Sequence, residues 1–190
     1  MGNDNHINAN NPVKSAAHQT AVIKSYFAQP YNPDALGFYF NDLENYEAQA
    51  GACFDRFGCV VEEFEIMFID GDDGALFEAC GINQANLKTW FDDIEPLQEQ
   101  EKIALYYLVN GVGYVLADVL EKVEDVYLYT GRLQDAAQEY FEDNFVESVP
   151  ENLRTYIDYK AFANDCQQGG DMVEFEYKNK TYTVTNANGI

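Results

Sequence analysis

Basic residues are scarce in this sequence. Eleven lysines and arginines stand against 33 aspartates and glutamates, a formal net charge of -22 with a pI near 4.1. That shortage argues against binding a phosphate backbone, which needs a concentration of lysine and arginine to displace counterions. Histidine is almost missing, with His6 and His18 both near the N-terminus, and serine occurs only at Ser15, Ser25 and Ser148. A Ser-His or Cys-His pair in a folded pocket would need the N-terminal stretch to fold in, so nucleophilic catalysis is poorly supplied. The cysteines Cys53, Cys59, Cys80 and Cys166 form no CxxC pair, which leaves zinc spacings unmet and reads as free, mostly buried thiols. Neither GxxxxGK[ST] nor GxGxxG occurs, so no glycine loop is set to cradle a phosphate. The best apolar run, Ile103–Val109, falls far short of the ~18 residues that span a bilayer. The Asn-rich first twenty residues have no hydrophobic signal region, and His6 breaks the myristoylation-like start MGNDNH. These absences lead to the expectation of a cytoplasmic protein, not an enzyme, with no cofactor, metal or membrane partner.

What is abundant is material for a core: 47% of residues are hydrophobic and 15% aromatic. The acids are not a tail. Residues 42–166 hold 28 acids and seven bases, interleaved with Leu, Phe, Tyr and Val, so the charge should decorate folded elements. Self-repulsion of that kind costs stability, which turns attention to solubility, cations or a cationic partner.

Along the chain, residues 1–20 are expected to be a flexible tail, AVIKSYF (21–27) a strand and GFYFND a second short strand. Asn41 then offers an N-cap with Glu44 three residues on. Leu43, Tyr46, Ala50, Cys53, Phe54 and Phe57 follow at helical spacing, and Gly58 is placed to end that helix. EFEIMFID alternates as a strand and leads into an aspartate-rich loop. From Asn83 the period becomes helical, with segments through Ile94, through Val109 and over 114–125. VYLYTG (126–131) is strand-like, 132–147 an amphipathic helix, Pro150 opens a short helix, Asp158 caps the next, and two strands flank an Asn179-Lys180 turn. The order predicts an α+β protein in three parts after the tail: an α/β unit over 21–82, a helical unit over 83–125 and an α/β unit over 126–190.

The loop FIDGDDGAL (68–76) gathers Asp70, Asp72 and Asp73. Counted from Asp70 as an EF-hand, position 5 is Gly74 and position 12 is Gly81, so the calcium motif fails and the loop reads as a solvated turn or part of a larger acidic surface. In 133–147, Leu133, Ala136, Ala137, Tyr140, Phe141 and Phe145 form an apolar stripe. Opposite it, Asp135, Glu139, Asp143 and Glu147 recur at i, i+4, where like charges cost a helix roughly 0.2–0.5 kcal/mol per pair. The preceding helix repeats the habit with Asp118, Glu121 and Asp125, softened only by Lys122. Four helical residues rise about 6 Å, close to the roughly 7 Å between phosphates of one DNA strand. A charge of -22 matches about 37 Å of duplex, roughly eleven base pairs. The residues therefore point to a DNA mimic, or to another ligand of a basic protein such as an acidic adaptor or inhibitor, with a cation-binding protein as a further alternative. The candidate contact residues are Asp70, Asp72, Asp73, Asp118, Glu121, Glu124, Asp125, Asp135, Glu139, Glu142, Asp143 and Glu147.

The stretch VPENLRTYIDYKAFANDC (149–166) resembles a segment of the ArdA antirestriction family that reads roughly [IL]PENL..YFDYEA[FY].RDL. Pro150, Glu151, Asn152, Leu153, Tyr156, Asp158, Tyr159, Phe162, Ala163 and Asp165 fit it. GFYFND, FEIMFIDGDDGAL and GGDMVEFEY follow in the family's order, and the similarity covers about 21–186. The resemblance implies an elongated homodimer of three small domains per subunit, α/β, helical bundle and α/β. Such a protein mimics bent DNA in the groove of type I restriction-modification enzymes, on the methyltransferase core, and blocks cleavage and often methylation on behalf of mobile genetic elements. It performs no chemistry, and its partner is protein rather than nucleic acid. The PENL block itself is expected to be structural, with Leu153, Tyr156, Tyr159 and Phe162 in the core.

Overall fold

The computed structural model describes residues 24–190, so the expected tail and both histidines lie outside the described residues. The chain builds two three-stranded antiparallel sheets with helices between and over them, an α+β fold. In the first sheet β1 (Ser25–Pro30) lies between β2 (Phe38–Phe40) and β3 (Phe64–Asp70). Alternation decides the faces. Tyr26 and Ala28 point into the core, opposite Phe40 and Phe38 on one side and Phe68 and Ile66 on the other. Phe27 points outward against the Tyr39 ring, 4.8 Å between centroids. A side chain on Gly37 would meet the Phe27 ring and the Ala28 carbonyl at under 3 Å, which holds that position to glycine.

Helix α1 (Leu43–Gly51) is capped one residue later than the sequence suggests, because Asp42 Oδ1 accepts the Asn45 N–H at 2.7 Å. It also stops earlier. Asp55 Oδ1 takes the backbone N–H groups of Phe57 and Cys59, each at 2.9 Å, and closes a turn with Gly58 at φ +82°. Side-chain capture of backbone donors competes with helix, so Phe54 and Phe57 leave the expected stripe and are exposed. The sequence reading also misses α2 (Gly74–Ala79), directly after the aspartate loop, which buries Leu76 and Phe77.

The middle of the chain is helical as expected, but with irregular turns. Helix α3 (Leu87–Thr89) runs into a wide π-type turn, Trp90–Ile94. Helix α4 (Glu99–Tyr106) begins at a capping box between Gln98 and Glu101 and widens into Tyr107–Val112, ending at Gly113 with φ +90°. Helix α5 (Leu116–Val119) tightens into the 3-10 segment Leu120–Asp125.

The second sheet places β6 (Lys180–Val184) between β4 (Leu128–Thr130) and β5 (Val173–Tyr177). The β5–β6 turn is Lys178-Asn179, not Asn179-Lys180: Tyr177 pairs with Lys180, and both turn residues have positive φ, 49° and 59°. A two-residue hairpin turn matching strand twist requires that conformation at both positions. Helices α6 (Leu133–Asn144) and α7 (Tyr159–Gly169) pack on each other. Asp158 caps α7 by accepting the Ala161 N–H at 3.0 Å, and Gly170 at φ +77° ends it.

One apolar cluster runs from Tyr26 and Phe40 through Trp90, Ile103 and Leu108 to Tyr177, Tyr182 and Val184, so the two sheets and the middle helices share a core. A smaller cluster, Leu133, Ala137, Ala163, Cys166 and Met172, lies beneath α6 and α7. The PENL block corrects an expectation. Residues Glu151–Tyr156 form a 3-10 turn with no buried residue, and Leu153 and Tyr156 are 49% and 81% exposed. Tyr159 and Phe162 are half-buried against the Phe141 ring. Among the described residues no layer of the fold covers the turn.

Candidate functional site

The three aspartates of the β3–α2 loop do not share one environment. Asp70 and Asp72 are exposed, whereas Asp73 is 3% exposed. Lys102 on α4 donates to Asp73 Oδ2 at 2.8 Å, Lys24 just before β1 donates to the same oxygen at 3.1 Å, and Lys178 in the hairpin turn donates to Oδ1 at 3.0 Å. Lys24 also pairs with Glu95 at 3.2 Å and Lys178 with Glu99 at 3.2 Å. Three ammonium groups thus meet three carboxylates, and the cluster carries no net charge. Burial alone would push the Asp73 carboxyl up, but hydrogen bonds from Lys102, Lys178 and Lys24 outweigh it and hold the group well below the usual carboxylate range. Burial would likewise lower Lys24 and Lys178, and their bonds to Asp73, aided by Glu95 and Glu99, raise both above the ordinary lysine value. Asp73 is therefore unlike the other eleven candidate acids: its charge is turned inward and answered.

Those eleven, Asp70, Asp72, Asp118, Glu121, Glu124, Asp125, Asp135, Glu139, Glu142, Asp143 and Glu147, are all exposed. Among the described residues none makes an ion pair with lysine or arginine. Lys122, which the sequence places among Asp118, Glu121 and Asp125, lies instead over the Tyr114 ring, 5.1 Å from its centroid. Glu121 and Glu124 fall in a 3-10 segment. With about three residues per turn and ~2 Å rise, their side chains eclipse about 6 Å apart along the axis, the same step that i, i+4 gives on an α-helix.

On α6 the expected ladder is shorter. Asp135, Glu139 and Asp143 lie on the helix, but α6 ends at Asn144 and Glu147 sits in a separate 3-10 turn, Val146–Ser148. The stripe opposite is buried at Leu133, Ala136 and Ala137, while Tyr140 and Phe145 are 39% and 42% exposed. Those two rings line a groove of about 430 Å³ with Tyr127, Phe162, Cys166 and Met172. The Leu133 N–H donates to Glu174 Oε2 at 2.7 Å, tying the start of α6 to β5.

Sequence reasoning missed Lys24, Lys102 and Lys178, which lie 49, 29 and 105 residues from Asp73. The one local signal was Lys102 directly before the apolar run Ile103–Val109, where it is buried. Among the described residues, no three His, Cys, Asp or Glu side chains gather as a metal would require, and no helix is long and apolar enough to cross a membrane.

No curated protein matches the chain. A protein-family model described as "Antirestriction protein (ArdA)" matches residues 26–179. The match spans most of the chain, from β1 through β5 and the acid-bearing helices, and ends just before β6. The chain belongs to the ArdA antirestriction family, whose members are inhibitors of type I restriction rather than enzymes.

Proposed function

We propose that this protein inhibits type I restriction-modification enzymes as a DNA mimic, its exposed carboxylates standing in for phosphates in the DNA groove of the methyltransferase core. The observation that carries the reading is the separation of charge. The three lysines around Asp73 are spent on a neutral interior cluster, while eleven candidate acids stay exposed without a basic partner among the described residues. Carboxylates repeating at about 6 Å along a helical surface approximate phosphate spacing, and a cationic groove gains by releasing counterions to either.

Two copies complete the mimic. Among the described residues Leu153, Tyr156, Tyr140 and Phe145 leave apolar surface uncovered, and apolar surface of this kind favours self-association. The protein acts in the cytoplasm, where incoming DNA meets restriction, and blocks methylation as well as cleavage, since both need the same groove.

The test is competition for a purified type I methyltransferase core loaded with a fluorescent duplex carrying its recognition site. The protein is expected to displace the duplex, less effectively as salt rises, and to run as a dimer in sedimentation. Inhibition with the duplex still bound would overturn mimicry.

A further inference from the structure

We infer that the Asp73 cluster is a joint: it holds the two acid-bearing ends of the chain, the loop of Asp70 and Asp72 and the helix α6, at the separation that inhibition requires. The inference rests on the proposed DNA-groove reading for its link to inhibition, and on geometry alone for the joint.

Topology supports it first. The partners of Asp73 come from the lead into β1, from α4 and from the β5–β6 turn. One carboxylate therefore ties together the first sheet, the middle helices and the second sheet. Among the described residues, Lys178 to Asp73 is the only hydrogen bond or ion pair that links residues 24–82 directly to residues 126–190. Apolar contacts also bring the second sheet to the middle helices, with the Tyr106 and Tyr177 rings 4.5 Å apart and those of Tyr107 and Phe175 5.2 Å apart. Such contacts are non-directional. Charge-assisted hydrogen bonds to a buried carboxylate add a specific restraint to that packing, because a partner that leaves strands a buried charge.

The local chain is built for this use. Asp73 stands at the N-cap position of α2, yet its carboxylate makes no capping bond; both oxygens go to lysines. Lys178 occupies a left-handed turn position that lysine rarely adopts, at φ 49°. That turn delivers its ammonium to Asp73 Oδ1 while Glu99 holds the same group from α4. The acid loop is thereby anchored through its third aspartate while the first two face solvent. At the other end, α6 follows the second sheet through the Leu133–Glu174 bond. A carboxylate array spaced like phosphates loses register with a rigid groove when its two ends swing independently, even though every acid remains in place.

The test uses the full chain. Asn tolerates left-handed φ, so Lys178→Asn removes the cation and keeps the turn; Asp73→Asn removes the anchor and Asp73→Glu restores its charge. A spin label at exposed Cys59 and a second at Gln134→Cys, an exposed neutral position on α6, report the distance between the ends. In Lys178→Asn the distance distribution is expected to broaden with circular dichroism unchanged, and DNA competition to weaken several-fold. Asp73→Asn should broaden it further, and Asp73→Glu should narrow it back. Should Asp73→Asn fail to fold, Lys178→Asn decides alone. A parental distribution in folded Lys178→Asn overturns the joint. A broadened distribution with parental competition overturns its link to inhibition. If the parent itself displaces no duplex, the mimicry reading fails and the distances still judge the joint.

Discussion

The indole Nε1 of Trp90 donates to the Tyr26 hydroxyl at 2.8 Å, across 64 residues of sequence, and neither side chain touches solvent. Tyr26 passes the chain on, donating to Glu95 Oε1 at 3.0 Å. The first sheet and the π-type turn after α3 are thereby fastened by a satisfied polar network inside an aromatic core. Tyr26→Phe removes the middle member and leaves the buried indole N–H without an acceptor. The expected cost is about 1–3 kcal/mol. Urea unfolding measures it directly, since Trp90 is the one tryptophan of the chain and its fluorescence reports the core.

Tyr46 gives the opposite result. Its hydroxyl is buried with no hydrogen-bond partner among the described residues, and burial raises its pKa. Tyr46→Phe removes an unsatisfied polar atom and keeps the ring contacts with Phe40 and Phe64. Stability should stay level or rise by up to about 1 kcal/mol. A loss above that in the same urea assay would show that the hydroxyl is doing something the structure does not reveal.

These two tyrosines mark what the sequence could and could not disclose. Local signals were legible: the Asp158 cap, the alternation of β3, the two-strand C-terminal hairpin and the acid face of α6 are each written in neighbouring residues. The stop of α1 was not, because Asp55 captures backbone donors that a periodicity count assumes belong to a helix. The short α2 was hidden because six residues are too few to establish a period. Depth was the least legible quantity. Asp72 and Asp73 are adjacent and chemically identical, and only lysines brought from far along the chain separate an outward charge from an inward one. Leu153 and Tyr156 failed in the reverse direction: apolar residues at plausible core spacing lie on a turn that nothing among the described residues covers.

Stability should carry the mark of Asp73 on its acid side. The folded-state value is depressed below the ordinary 3.8, so the unfolded chain binds the extra proton. The contribution is then fully present above about pH 5 and is lost as pH falls through and below the ordinary carboxylate range. Protonating the unpaired surface acids acts in the other direction by relieving repulsion, so the raw stability curve mixes two effects. The gap between parent and Asp73→Asn isolates one of them. At pH 7 the variant should be less stable by about 3–5 kcal/mol, as for a buried pair that loses one partner. Urea midpoints at pH 7, 5, 4 and 3 should show that gap narrowing, and a gap constant across the series would mean that Asp73 is not held ionised by its lysines.

On α6 stability and inhibition should move in opposite directions. Glu139 sits one turn from both Asp135 and Asp143 on the exposed face, so Glu139→Gln removes two like-charge pairs and should stabilise the protein by about 0.4–1 kcal/mol. The same change removes one phosphate-like charge, so inhibition should weaken slightly and fall less steeply with salt. An interface made of many equivalent charges has no dominant residue. The single loss should therefore be small, and the combined Asp135→Asn, Glu139→Gln, Asp143→Asn protein should lose far more than any one change while gaining thermal stability. Melting temperature and duplex displacement, measured on the parent, the three single variants and the triple variant, test both halves. A triple variant that inhibits as well as the parent would remove α6 from the contact surface, and one that also melts no higher would mean that its acids do not repel each other there.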